Sequence, residues 1–131
     1  MKTQSILIIG ADPDDVGIIS NPYQAEHESL IPSNVHKEIQ AEKKAIEDSG
    51  FLAEMFLVTR QKDSVKAISF SLQNKSYDLI LIGAGVRVIP DYLSTFEEVI
   101  NTVHRQAPRS EILFSTAYNT LYEALQRKMK Q

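Results

Sequence analysis

Three carboxylates, Asp12, Asp14 and Asp15, stand within four positions directly after the apolar run Ile6–Ile9. Carboxylates packed this closely can hold a divalent cation, or divide acid and nucleophile roles between them. The plainer reading is a solvated turn, because Asp bonds its own backbone and Pro13 fixes φ. On that reading, a cation or Arg87 is the alternative partner of the aspartates. A second group is Gly83-Ala84-Gly85-Val86-Arg87, where two glycines permit close backbone approach. A guanidinium there could grip a carboxylate or phosphate through two parallel hydrogen bonds. The plainer reading is a sharp turn, with Arg87 paired to an acid of the first loop. A third group is Glu97, Asn101 and His104, whose spacing places them on one flank of a helix as a general base with orienting partners. Glu97 could equally cap its helix, and His104 could sit near the helix end, where a cation is favoured. Ser115 follows a late strand and completes the candidates. Residue types and spacing alone assign neither a metal site nor a cofactor.

The elements that must position these residues are legible. Ser5–Gly10 is a continuous apolar run, as expected of a strand covered on both faces. Residues 12–33 lack a clean period and contain Pro13, Pro22, Pro32, Gly17 and Asn21. They read as a long loop with a helical turn, and long loops in compact domains are commonly functional. Asn34–Ser49 reads as a helix capped by Ser33 or Asn34 and stopped by Gly50, with Val35, Ile39, Ala45 and Ile46 inward. Leu52–Thr59 is a strand. Asp63 or Ser64 then opens a helix with Val65, Ile68 and Leu72 inward, and Asp78–Gly83 is a third strand. Ser94-Thr-Phe-Glu97 predicts a capping box and a helix buried through Phe96, Val99, Ile100 and Val103. Glu111–Ser115 is a fourth strand, and Thr120-Leu-Tyr-Glu123 predicts a last helix carrying Leu121, Ala124, Leu125 and Met129.

Strands alternating with helices predict one α/β domain over residues 1–131. The expected architecture is a three-layer flavodoxin-like sandwich with a four-stranded parallel sheet of order 2-1-3-4 and helices on both faces. Ligands of such sheets bind beyond the carboxyl ends of the strands, where the order reverses. Here that edge gathers the acidic loop, Gly83–Arg87 and Ser115–Asn119.

Composition narrows the function classes. The 131 residues are 43% apolar and 24% charged, with net charge −3, and the balance suggests no nucleic-acid or membrane partner. There is no cysteine, which excludes disulfides, thiolate nucleophiles and cysteine-ligated metals. No secretory signal is read after Met1, so the expectation is a cytoplasmic protein.

Several motifs resemble known families. Asp12-Pro-Asp-Asp-Val16 resembles the first motif of haloacid dehalogenase-like phosphatases, which implies Asp12 as nucleophile and Asp14 as acid. That family also uses a lysine and a late acidic pair for magnesium, whereas later strands here run into Gly83-Ala84 and Ser115-Thr116. Ala11–Val16 is similar to the Ala-His-Pro-Asp-Asp-Glu motif of zinc-dependent sugar deacetylases, with Asp12 and Val16 replacing the histidine and glutamate. Residues 77–83 and 112–117 resemble the third and fourth strands of receiver domains. The phospho-accepting aspartate would fall on Gly83, which cannot form an acyl phosphate. Residues 77–87, 96–108 and 112–114 resemble small bacterial flavodoxin-like or receiver-like α/β proteins of unknown function.

The first expectation is therefore a non-catalytic binding or interaction module. The alternatives are a small enzyme or anion-binding protein using Arg87, Glu97 and His104, and magnesium-dependent phosphatase-like chemistry on Asp12 and Asp14. A fourth strand with no fifth to cover it, beside an apolar last helix, also predicts a homodimer through that edge.

Overall fold

A computed structural model describes residues 3–18, 32–116 and 120–130. Residues 19–31 of the long first loop, residues 117–119 and the Ser33 side chain lie outside the described set. Strand β1 is Ser5–Ala11, followed by helix α1, Pro13–Ile18, and helix α2, Pro32–Asp48. Then come β2, Leu52–Val58, α3, Asp63–Asn74, β3, Leu79–Ile82, and α4, Ala84–Val88. A 3-10 turn at Pro90–Tyr92 leads into α5, Leu93–Gln106, and the chain continues through β4, Glu111–Phe114, to α6, Leu121–Met129.

All strand pairs are parallel and the order is β2-β1-β3-β4, the flavodoxin-like arrangement expected. Alternation along the central strands divides the core in two. Leu7 and Ile9 of β1 and Ile80 and Ile82 of β3 face Val65, Ile68 and Leu72 of α3 and Val99 and Val103 of α5. Ile6, Ile8, Leu79 and Leu81 face Ile46 of α2 and Leu121, Ala124 and Leu125 of α6. The central strands are thus buried on both sides, which is why their sequences carry no polar alternation. The adjacent Gly50 closes α2 with φ 99°, a left-handed backbone that a side chain would strain.

Local details depart from the sequence reading, as where the helix expected from Asn34 already begins at Pro32. The stretch after β1 begins with a helix, α1, because Asp12 accepts the Asp14 amide and Pro13 supplies a helical φ at the first position. Gly83 is extended (φ −70°, ψ 153°), and residues from Ala84 are helical, so this segment is not a glycine-driven turn. The expected capping box at Ser94 and Glu97 is not formed. The 3-10 turn feeds directly into the helix, so Ser94 is already inside it, and the cap position is Tyr92, without a side-chain cap bond.

At the β4 edge, Arg127 of α6 donates from Nη2 to the Phe114 carbonyl at 2.8 Å, and Lys128 pairs with Glu111. The two cations occupy both ends of the strand, a common protection for an open edge. Leu121, Ala124 and Leu125 are spent in the chain's own core. Among the described residues, the large exposed apolar side chains of this region are Ile112, 37% exposed, and Met129, 58% exposed.

Candidate functional site at the carboxyl edge beside β1

Strand β1 delivers the acidic residues to the sheet's carboxyl edge, and the Asp12 amide prolongs the pairing by donating to the Val58 carbonyl at 2.8 Å. Asp12 Oδ1 then accepts the Asp14 N–H at 2.9 Å and starts α1. Successive helical residues point about 100° apart, so the three aspartates separate into two groups.

Asp14 projects outward with 74% of its side chain exposed, and its Oδ2 lies 3.4 Å from Nε2 of His36 in α2. Asp12, Asp14 and His36 each bring one donor atom into a group within 4.8 Å of one another. Two carboxylates and an imidazole form a mixed oxygen–nitrogen set suited to a first-row divalent ion. Donor atoms around a tetrahedral zinc lie ~3.3 Å apart, given metal–ligand bonds of ~2.0–2.1 Å. The Asp14–His36 pair already has nearly that spacing.

Asp15 turns inward. Its Oδ2 accepts the Arg60 amide at 3.1 Å, Arg60 Nε at 3.2 Å and the Tyr92 hydroxyl at 2.5 Å, while Oδ1 accepts Arg60 Nη2 at 3.1 Å. Hydrogen bonds from the Arg60 side chain hold the Asp15 carboxyl below its ordinary range against the opposing effect of burial, with Tyr92 adding to the depression. Burial and the carboxylate acceptor push the Tyr92 hydroxyl far up. This is a closed network: the first-loop acid is satisfied by Arg60, and Arg87 is not its partner.

Arg87 braces α4 to the end of β4 instead. Its Nη2 donates to the Ser115 carbonyl at 2.7 Å, its guanidinium carbon stands 6.0 Å from the Phe114 ring centre, and its buried Nε has no partner among the described residues. Ser115 is buried and its hydroxyl oxygen accepts the Ala84 amide at 2.8 Å. Gly83 lies against the Ile9 carbonyl and Gly10, where an added Cβ would make ordinary contacts of 3.5 and 3.7 Å. Gly85 is buried within α4.

Glu97 and Asn101 line a groove between α3 and α5 together with Lys62, Lys66 and Arg105. His104 is exposed in the last turn of α5, about 10 Å further along the axis from Glu97 at 1.5 Å per residue. Since α5 runs from the carboxyl to the amino edge of the sheet, His104 is carried away from Arg87 and Ser115. Of the candidates, the structure joins Asp12 to Asp14, joins Gly83, Arg87 and Ser115 through α4 and β4, and sets Glu97, Asn101 and His104 apart.

His36, Arg60 and Tyr92 were not legible as site residues. A signal for Arg60 existed: β1 and β2 pair with Ala11 opposite Val58, so the residues after Val58 must flank the acidic loop. No such register connects His36 or Tyr92 to that loop, since α2 and the 3-10 turn approach it from other directions. No protein-family model matches the chain, and no curated protein matches it.

Proposed function

We propose that the chain is a non-catalytic binding module on a flavodoxin-like scaffold, with a first-row divalent cation taken by Asp12, Asp14 and His36 as its ligand. The observation that carries this reading is the convergence of those three donor atoms within 4.8 Å at the ligand-binding edge of the sheet. The neighbouring chemistry-bearing groups are committed elsewhere: Asp15 to Arg60 and Tyr92, Ser115 to Ala84 and Arg87. The closed Asp15 network supports the same reading, because it fixes α1 and hence the carboxylates on either side of its first turn. A chain without cysteine offers a cation oxygen and nitrogen donors rather than thiolates. Calorimetric titration with Zn²⁺ tests the proposal. One ion per chain is expected, weakened by at least about tenfold in Asp14→Asn and in His36→Ala. Equal zinc affinity in wild type and both variants would rule the site out.

A further inference from the structure

The two edges of the sheet are unequally guarded. At β4, four residues long, Arg127 and Lys128 stand at the strand's ends. Edge strand β2 is longer, seven residues, runs in unbroken register with β1 and contains neither proline nor a basic residue. It therefore lacks the devices that usually keep an open edge from pairing. The direction of its backbone groups follows from its two ends. The Leu52 amide donates to the Gln4 carbonyl, and the Val58 carbonyl accepts the Asp12 amide. In a parallel pair, residues that bond one neighbour alternate with residues that face away from it. Leu52, Glu54, Phe56 and Val58 thus bond towards β1, while Ala53, Met55 and Leu57 turn their N–H and C=O groups outward. These outward residues are apolar and partly exposed. Among the described residues, no strand or turn bonds that outer side. The one charge on β2, Glu54, is engaged by Lys75 at 2.6 Å and by the Tyr77 hydroxyl at 2.9 Å.

Such an edge is complementary to itself. When two copies run antiparallel about a two-fold axis at Met55, Met55 faces its own copy and Ala53 faces the second copy's Leu57. This register pairs every outward N–H and C=O of the strand, because opposed residues exchange both bonds. It also sets Glu54 opposite the second copy's Phe56. A slip of two residues towards the strand's start would set Glu54 against Glu54, and like charges directly opposite are destabilising. We propose that a second copy of this chain docks antiparallel on β2, rather than across β4, and joins two four-stranded sheets into one continuous sheet. The contact is isologous, so it closes as a dimer and leaves no β2 edge free. It uses none of the side chains of Asp12, Asp14 and His36, and is independent of the cation reading.

A chain without cysteine allows the register to be probed with a single introduced thiol. Opposed residues of a hydrogen-bonded antiparallel pair have Cα atoms ~5.5 Å apart, within disulfide reach, so Met55→Cys should cross-link into a dimer under mild oxidation. Leu52→Cys is the control. Leu52 is 65% exposed, yet in this register its two copies stand ~20 Å apart, at ~3.3 Å per residue. Sedimentation of the wild-type chain should give a dimer mass at roughly 100 µM, and Met55→Cys should cross-link at least about tenfold faster than Leu52→Cys. A wild-type monomer at that concentration would overturn the proposal, as would equal or faster cross-linking of Leu52→Cys. A wild-type dimer whose Met55→Cys variant keeps its melting transition but stays uncross-linked would overturn it too. Cross-linking of Ile112→Cys in its place would put the contact at β4 instead.

Discussion

Tyr92 donates its hydroxyl to Asp15 at 2.5 Å, joining the turn before α5 to the first helix after β1. The ring is wholly buried, and Arg60 binds the same carboxylate from the end of β2. One carboxylate therefore ties together three segments that are distant in sequence, and it does so beside the proposed cation site.

Tyr92→Phe retains the buried ring and deletes only this donor. Because Asp15 keeps its Arg60 bonds, the loss should be that of one charge-assisted hydrogen bond, about 1 to 2 kcal/mol. Urea denaturation should show a lower midpoint with an unchanged slope. An unaltered midpoint would mean that the contact adds nothing to the fold.

Asp15 also sets a pH dependence. Its folded-state carboxyl titrates below its ordinary value, first through Arg60 and, against burial, through Tyr92. The associated stability is therefore fully present above the unfolded value, ~4, and is lost as the pH falls through the lower, folded value. Melting curves should show the wild type losing stability on acidification more steeply than Asp15→Asn. Parallel profiles would contradict this assignment.

Two glycines should respond differently to alanine. Gly83 has an extended backbone with ordinary Cβ contacts, so Gly83→Ala should change stability by at most about 1 kcal/mol, of either sign. Gly50, at φ 99°, has open space around it but a left-handed backbone, so Gly50→Ala should cost about 1 kcal/mol or more. Chemical denaturation of the two variants distinguishes conformational need from packing.

Arg127→Ala frees the Phe114 carbonyl at the exposed β4 edge. Edges stripped of such protection pair with other chains. Light scattering should therefore give the variant a higher average mass than the wild type at equal concentration. Equal masses would show that Arg127 does not guard the edge.

The sheet was legible because its central strands are buried on both faces. Runs such as Ile6–Ile9 and Leu79–Ile82 have no other stable placement once helices alternate with them. Strand ends and caps were less legible. Whether Ser94 caps or continues its helix depends on the preceding 3-10 turn, and that is set by the burial of Tyr92 rather than by a local motif. The aspartates were visible as a cluster, but their division was not. It depends on helical geometry at Pro13 and on partners 22, 45 and 77 positions away, His36, Arg60 and Tyr92. Arg87 shows the converse, since its spacing suggested an anion grip and the fold uses it as a brace to Ser115.

The most direct test of the proposed function is a zinc titration of the wild-type chain beside Asp14→Asn. The expected result is one zinc per wild-type chain, weaker uptake of Mg²⁺ because the set includes an imidazole nitrogen, and at least about tenfold loss of zinc affinity in Asp14→Asn. No zinc uptake by the wild type, or uptake indifferent to Asp14, would contradict it.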